Sequence, residues 1–375
     1  MWMAYRIKTF IKNEIVLILA FVLAVISAFF VPPDAGYFAY IDYRTLAILF
    51  SLMGIMCGLQ RLGVFSQIGE MLVKKVTSMR MLAVVLMLLC FVFSMFITND
   101  VALLTFVPFT IITLNIAGRS ENLISVIVLE TIAANLGSMM MPMGNPQNLY
   151  LYSLTDMTLG GFIKLMLPYG AVSLLMLLLL CCVLAPGTAI SVAETVSHTR
   201  TRRENRLIIL YVAAFVLALF VVMRLVGYLI GFGTVLVIML VFDRKSLGRV
   251  DYSLLLTFVF LFIFIGNMKR IPAVTEILSG IVGGHEVISA VAASQVISNV
   301  PAAILLSGFT ENIKSLVIGT NIGGLGTLIA SMASLISFKQ YGCTENPDKK
   351  KYIAVFTVLN IVFLAALLIL NIVIG

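Results

Sequence analysis

Long apolar segments alternate with short polar ones along the chain, and the segment 287–309 is interrupted in its middle. Two apolar arms flank the polar tip Ser298-Asn299-Val300-Pro301, and at ~1.5 Å of rise per residue neither arm can cross ~30 Å of hydrocarbon. Pro301 lacks a backbone N–H and disfavours helical angles at Val300, which predicts a break at these residues. The segment is therefore predicted to be a re-entrant hairpin with its tip near the middle of the membrane.

The next apolar segment, 315–337, contains a glycine-rich stretch, Gly319–Thr327, which predicts a broken helix. Non-helical backbone at membrane depth is tolerated only where it is packed in protein or lines a cavity. A hairpin tip that faces a broken helix is typical of the substrate sites of secondary transporters.

The first half of the chain contains both features in the same order. Thr98-Asn99-Asp100 interrupts the apolar segment 81–117, and a helix predicted over 122–152 is broken around Gly137–Pro146. The corresponding asparagines are Asn99 and Asn299 at the two tips, and Asn135 and Asn321 in the two broken helices. The two arms of 81–117 are each nearly long enough to span, so two crossings and a re-entrant hairpin both fit; we favour the hairpin because its counterpart is too short to span.

The distribution of Lys and Arg predicts opposite orientations for the two halves. Arg6, Lys8 and Lys12 place the N-terminus in the cytoplasm by the positive-inside rule. Lys269 and Arg270 then fall outside, where we expect them to snorkel. The predicted organisation is a first inverted repeat over 1–187, a basic loop and linking helix over 188–224, and a second inverted repeat over 225–375.

Composition agrees with an all-α polytopic membrane protein, with about ten transmembrane helices, two re-entrant hairpins and two broken helices. Hydrophobic residues make up 61% of the chain and charged residues 11%, against ~25% charged in soluble proteins. The net charge of +8 arises mostly from loop residues, so no nucleic-acid partner is expected. Neither H-E-x-x-H, G-x-S-x-G nor G-x-x-x-x-G-K-[ST] occurs, which disfavours an enzyme or a nucleotide-driven pump. No cofactor is expected.

These motifs resemble those of the ion transporter superfamily, which includes divalent anion–sodium symporters, citrate carriers and arsenite antiporters. Ser298-Asn299-Val300 resembles the Ser-Asn-Thr hairpin tip of the divalent-anion symporters, and Asn321–Thr327 is similar to their broken-helix signature. Thr98-Asn99-Asp100 is closer to the arsenite-antiporter pattern, and Gly144–Asn148 stands at the Gly/Pro/Asn loop of the family. The similarity is greatest to YbiR-type permeases. It implies a scaffold domain, an elevator-like moving domain and often a homodimer.

The candidate site consists of polar residues and glycines at the tips and breaks. Amide groups can hold the oxygens of an anion, while hydroxyls and freed carbonyls suit a hard cation. The predicted substrate-binding residues are Thr98, Asn99, Asn145, Asn148, Ser298, Asn299 and Thr327. The predicted cation-binding or coupling residues are Asp100, Glu130, Asn135, Gly137, Thr320, Asn321, Gly323 and Gly326. The simpler alternative is that the polar residues only cap broken helices and the glycines only allow close packing.

Two acidic residues lie deep in apolar segments. A lone charge at the bilayer centre costs ~2.5–3.5 kcal/mol on insertion scales, so Asp100 is expected to have a partner or a function. It could bind the coupling ion, Na⁺ or H⁺, or it could only cap the helix that follows. Glu130 is a second candidate proton carrier, or it bonds to a neighbouring helix.

The sequence thus predicts a cation-coupled secondary active transporter of a small, anionic solute such as a carboxylate, in the cytoplasmic membrane of a prokaryote. The alternative is a proton-coupled arsenite or antimonite efflux antiporter. A channel is disfavoured because inverted hairpins are typical of alternating access. The expected partners are a small organic or inorganic anion and the lipid bilayer.

Overall fold

The long apolar segments form helices because, in lipid, each backbone polar group must be satisfied within its own segment. The computed structural model describes residues 14–190 and 200–374; Arg6, Lys8 and Lys12 lie outside them, so the predicted N-terminal orientation stays a prediction. The α-helices of the first half are α1 (Ile15–Phe30), α2 (Gly36–Tyr40), α3 (Tyr43–Arg61), α4 (Val64–Val73), α5 (Met79–Ile97), α6 (Asn99–Ile116), α7 (Leu123–Ser138), α8 (Pro146–Ser153) and α9 (Leu159–Leu184). Those of the second half are α10 (Arg202–Val222), α11 (Tyr228–Val237), α12 (Arg244–Leu247), α13 (Tyr252–Lys269), α14 (Pro272–Val282), α15 (Glu286–Ile297), α16 (Asn299–Leu306), α17 (Ile313–Ile322), α18 (Met332–Tyr341) and α19 (Lys349–Ile374).

Within the described ranges, seven helices are long and apolar enough to cross a membrane. They are α3, α5, α6, α9, α10, α13 and α19. The helices α14 and α15 meet at 108° and would add an eighth crossing if they form one broken span. The all-α polytopic class is therefore confirmed, whereas the count of about ten crossings stays a prediction.

Both predicted hairpins break at a single residue in the same unusual backbone conformation. Thr98, between α5 and α6, has φ 67° and ψ 148°, and Ser298, between α15 and α16, has φ 71° and ψ 155°. Residues with a side chain rarely adopt this region, at a cost of ~1–3 kcal/mol each, and such strain concentrates at functional sites. The matched strain supports the proposed duplication.

The reason given above for the second break is wrong. Val300 is helical, and Pro301 lies in the first turn of α16, where its missing N–H leaves no intrahelical hydrogen bond unmade. The chain reverses two residues before Val300, at Ser298. In the first hairpin, α5 and α6 are each long enough to span, so its re-entrant character stays a prediction.

Two ion pairs join the halves of the chain reciprocally. Arg61 donates to Asp243 at 2.8 Å, and Arg270 donates to Asp34 at 2.7 Å. Arg61 and Arg270 are separated by the same 209 residues as Asp34 and Asp243. Such exchanged contacts are the signature of a two-fold relation. The exposed Arg270 is therefore held by Asp34, and the snorkelling predicted for it is not needed.

Helix packing shows the same exchange between the halves. The hairpin arm α6 packs on the second-half helix α18, and the hairpin arm α16 packs on the first-half helix α8. The halves thus interlock, and the two tips are brought to the middle of one bundle.

We expect Asp243→Asn to destabilise the protein by about 2–3 kcal/mol, because it breaks a largely buried ion pair in which Arg61 keeps some contact with water. Burial raises the pKa of Asp243, but hydrogen bonds from Ser246, Arg61 and Tyr211 outweigh it and lower the pKa below its usual value. The contribution is therefore present above the unfolded-state pKa of ~3.9 and is lost as pH falls through the lower folded-state pKa. Thermal melting of detergent-solubilised protein from pH 7 to pH 3 measures both effects. Asp348→Asn, at the exposed start of α19, is the control.

Candidate functional site

The first tip is tied to the first broken helix by an amide–amide hydrogen bond. Asn99 Nδ2 donates to Asn135 Oδ1 at 3.0 Å, and both side chains are buried. Asn99 Oδ1 accepts from the backbone N–H of Asp100 at 3.0 Å. Thr98 supplies the strained turn that points Asn99 at α7.

The two broken helices exchange hydrogen bonds reciprocally. Asn135 accepts from Ser331 Oγ at 3.0 Å and donates to Ser334 Oγ at 3.2 Å. In turn, Asn321 accepts from Asn145 Nδ2 at 3.2 Å and donates to Asn148 Oδ1 at 2.6 Å. Asn145 and Asn148 follow Asn135 by 10 and 13 residues, and Ser331 and Ser334 follow Asn321 by the same intervals. Ser331 and Ser334 were not predicted from the sequence, although their spacing from Asn321 matches that of Asn145 and Asn148 from Asn135 and could have identified them.

The second tip reaches the same cluster through the unwound backbone between α17 and α18. The N–H of Asn299 donates to the carbonyl of Ala330 at 3.0 Å, and Ser298 Oγ donates to that carbonyl at 3.4 Å. The Asn299 side chain is buried, but its one hydrogen bond within the described residues is a 3.5 Å contact from Ser298 Oγ. Asn299 therefore keeps hydrogen-bonding capacity that Asn135 and Asn321 have used.

A cavity of about 180 Å³ lies between the first tip and helices α3 and α13. Three of the predicted site residues, Thr98, Asp100 and Asn145, line it, and their roles stay predictions. Three further polar residues that sequence reasoning missed also line it: Gln60, Arg249 and Asp251. Arg249 and Asp251 lie in the loop before α13 and, in sequence, look like any other charged loop residues.

The cavity carries two carboxyl groups and one guanidinium. Asp100 Oδ1 is buried without a hydrogen-bond partner among the described residues. Asp251 Oδ1 caps α13 by accepting from the N–H of Leu254 at 2.9 Å. With both acids ionised, the fixed charge of the cavity is negative by one. The lining of the cavity is therefore net negative, and the buried Asp100 Oδ1 is a carboxylate oxygen that no described residue satisfies.

Glu130 lies apart from this cavity. It is fully buried, and Thr110 donates to its Oε1 at 2.5 Å, while Oε2 has no partner among the described residues. Thr110 is ten residues beyond Asp100, or about 15 Å along α6. The structure thus shows the bond to a neighbouring helix that was the simpler prediction for Glu130.

Gly326 and Thr327 lie against Gln295 of α15, one turn before the second tip. The N–H of Thr327 donates to Gln295 Oε1 at 2.9 Å, and the Thr327 side chain is exposed. Gly326 has φ 103°, a conformation that favours glycine, so it completes this turn. Their contacts are those of a connection between the unwound segment and the hairpin.

The remaining predicted residues pack the two broken helices against the hairpins. A Cβ at Gly137 would overlap the carbonyl oxygen of Phe91, and a Cβ at Gly323 would lie 2.7 Å from Ser294 Oγ. Thr320 is buried in the last turn of α17, and its hydroxyl donates to the carbonyl of Leu316 at 2.7 Å. The predicted break therefore begins at Gly323 rather than at Gly319.

Comparison with known proteins shows the family to which the chain belongs. The model of the citrate transporter family matches residues 2–315. The chain belongs to that family. It is 33% identical to the inner membrane protein YbiR of Escherichia coli over 321 residues, or 83% of this chain and 84% of YbiR. It is also 33% identical over 305 residues to the uncharacterized transporter MJ0456 of Methanocaldococcus jannaschii, or 80% of this chain and 82% of that protein.

A third relative matches a shorter part of the chain. It is named transporter arsB, from Dictyostelium discoideum, and is 28% identical over 135 residues, which are 36% of this chain and 23% of the relative. The family and these relatives are transporters, so the protein is a multi-pass membrane transporter and not an enzyme. The inner-membrane relative supports a location in the cytoplasmic membrane of a prokaryote.

Proposed function

We propose that this transporter moves a small anionic solute, such as a carboxylate, coupled to Na⁺ or H⁺. The observation that carries the proposal is the charge of the cavity. Asp100, Asp251 and Arg249 line one space, which gives it a net negative charge of one when both acids are ionised. An anion that enters would raise the uncompensated negative charge to two or more. A cation or proton at Asp100 offsets that charge, so anion and cation enter together.

The anion and the coupling ion each have a side chain suited to binding them. The Arg249 guanidinium can bind a carboxylate through paired N–H donors. The Asn299 amide and the strained tips offer further donors and acceptors at the junction of the halves. Asp100 Oδ1 supplies the negative oxygen that a small hard cation or a proton requires.

An elevator movement fits the shape of the cavity. One wall is the face of α3 that carries Leu49, Met53 and Met56, and the opposite wall is the tip of the first hairpin. An apolar wall makes few directional bonds, so the hairpins and broken helices can slide along it together while the hydrogen bonds among them stay intact. Alternating access then requires no rearrangement of the Asn135 and Asn321 contacts.

The experiment is uptake of radiolabelled citrate and succinate into proteoliposomes, under an imposed inward Na⁺ gradient, an inward H⁺ gradient, or neither. We expect saturable uptake that one gradient accelerates at least about tenfold, since coupling means that the solute cannot move alone. Saturable uptake without any gradient dependence would contradict coupling. Unsaturable flux would indicate a channel.

A second candidate is proton-coupled efflux of arsenite or antimonite, favoured by the match to the relative named arsB and by Thr98-Asn99-Asp100. Arsenite is uncharged at neutral pH and therefore has no use for Arg249. Proton-driven arsenite flux in the same vesicles, without carboxylate uptake, would select this function.

We expect Arg249→Gln to weaken the apparent affinity for a carboxylate about 10- to 100-fold, because a charge-assisted hydrogen bond contributes ~1.5–3 kcal/mol. The concentration dependence of uptake measures the effect. Lys339→Gln, an exposed cation at the end of α18, is the control for loss of one positive charge. An unchanged affinity in Arg249→Gln would remove Arg249 from the substrate site.

A further inference from the structure

A second cavity, of about 430 Å³, lies at the end of the bundle where α3 ends and α10 begins. It shares no lining residue with the transport cavity. Its walls come from the first turn of α10, the π-helical turn Ile238–Phe242 that follows α11, and the start of α12. Four cations line it: Arg61, Arg203, Arg244 and Lys245.

The two acidic residues of this cavity are already engaged. Asp243 Oδ2 accepts from Arg61 and from Tyr211 at 2.9 Å and Ser246 at 2.6 Å. Glu204 Oε2 accepts from the N–H of Thr201 at 2.8 Å in the capping box of α10. Asp243 is paired with Arg61, and the carboxylate of Glu204 offsets one of the other three cations, so the lining keeps a net charge of +2.

The cations that remain face the cavity with unused donors. Arg203 and Lys245 are exposed and make no ion pair with another described residue. Arg244 uses its Nε on the carbonyl of Leu240 at 2.8 Å, which leaves its terminal nitrogens available. Three positive groups on two helices thus line one space, which suits an anion with several oxygen atoms, such as a phosphate.

Part of the cavity lining is apolar and exposed. Val241 is 65% exposed and Phe242 is 48% exposed, and the buried Leu207 also lines the cavity. A soluble phosphate has no use for such a surface. A lipid uses both parts of the lining, because its phosphate meets the cations at headgroup level while its acyl chain covers the apolar part.

We propose that this cavity binds the phosphate-bearing headgroup of an anionic lipid. The bound lipid fixes the junction of α3, α10 and α12. Because Arg61 ends α3, and α3 forms a wall of the transport cavity, the lipid stabilises the scaffold against which the hairpins are placed. This site is independent of the identity of the transported solute.

The test compares the full-length protein with Arg203→Gln/Lys245→Gln, and with Lys349→Gln/Lys350→Gln as a control that removes two exposed cations from the start of α19. Melting temperature in a neutral detergent is titrated with phosphatidylglycerol, phosphatidylcholine or inorganic phosphate. We expect phosphatidylglycerol to raise the melting temperature of the parent and the control at the same concentration. The first double variant should need about 25-fold more lipid, at about fivefold for each basic residue removed.

Each outcome decides one part of the proposal. Saturable stabilisation by phosphatidylglycerol alone, weakened in Arg203→Gln/Lys245→Gln only, supports a lipid site. Equal stabilisation by inorganic phosphate would keep the phosphate site and overturn the lipid. Equal responses of both double variants, or equal stabilisation by phosphatidylcholine, would overturn the site. If the first double variant folds poorly, native mass spectrometry of Arg203→Lys, which keeps the charge, should show lipid retention.

Discussion

Asp100→Asn is expected to abolish the response of transport to the coupling-ion gradient. The substitution keeps the size of the side chain but removes the negative oxygen that faces the cavity without a partner, so neither Na⁺ nor a proton can balance an incoming anion. Gradient-driven accumulation should fall at least about 100-fold. Exchange of labelled for unlabelled solute, which needs no net ion movement, should fall less.

The measurement is the initial rate of uptake into proteoliposomes with and without the gradient. Asp156→Asn is the matched control, because Asp156 is fully exposed in a loop and its 3.8 Å approach to Arg224 contributes little. If Asp100→Asn still accumulates solute in proportion to the gradient, Asp100 acts only through the dipole of α6, whose first turn contains it.

Asn299→Ala is expected to abolish transport while leaving the melting temperature within a few degrees of the parent. The Asn299 amide makes one 3.5 Å contact, so its removal costs little stability. The hydrogen bond from the Asn299 backbone N–H to the Ala330 carbonyl does not involve the side chain and is kept in the variant. Asn321→Ala should behave differently. It removes two hydrogen bonds across the halves and one to the Val317 carbonyl, so it should lower stability by about 1–3 kcal/mol.

The comparison of the two variants separates a ligand-binding amide from a structural one. Uptake and thermal melting are measured on the same preparations, with Asn205→Ala, exposed on α10, as the control. Normal uptake in Asn299→Ala would exclude its amide from the site. A large loss of stability in Asn299→Ala would show that the amide stabilises the hairpin tip and does not serve to bind a ligand.

Pattern and spacing were sufficient to predict the interrupted elements. An apolar segment whose two short arms flank a cluster of polar residues is unlike an ordinary transmembrane helix, and the order of tip and broken helix is visible twice in the chain. The second break lies within the predicted tip, at Ser298, but the reason given for it was wrong: Val300 and Pro301 both lie in the first turn of α16, which a proline can occupy.

The site was predicted less completely than the fold. Asn135 and Asn321 were found because amides stand out in apolar helices. Ser331 and Ser334, the partners of Asn135, were not found, since serine is common in such helices. Arg249 and Asp251 could not be found, because only packing of α13 beside α3 brings this loop to the tip of the first hairpin. Gly326 and Thr327 were assigned to the site by their nearness in sequence to Asn321. They contact Gln295, one turn before the second tip, and their assignment stays a prediction.

The exchanged hydrogen bonds have a consequence for the origin of the chain. A polypeptide of half this length would leave the buried Nδ2 of an amide like that of Asn135 without a partner, since that nitrogen donates to Ser334 of the other half. A second copy, related by the exchange described above, would supply that partner. Together with the proposed inversion of the two halves, this favours an ancestor that was a small membrane protein inserted in both orientations, whose gene was later fused to a copy of itself.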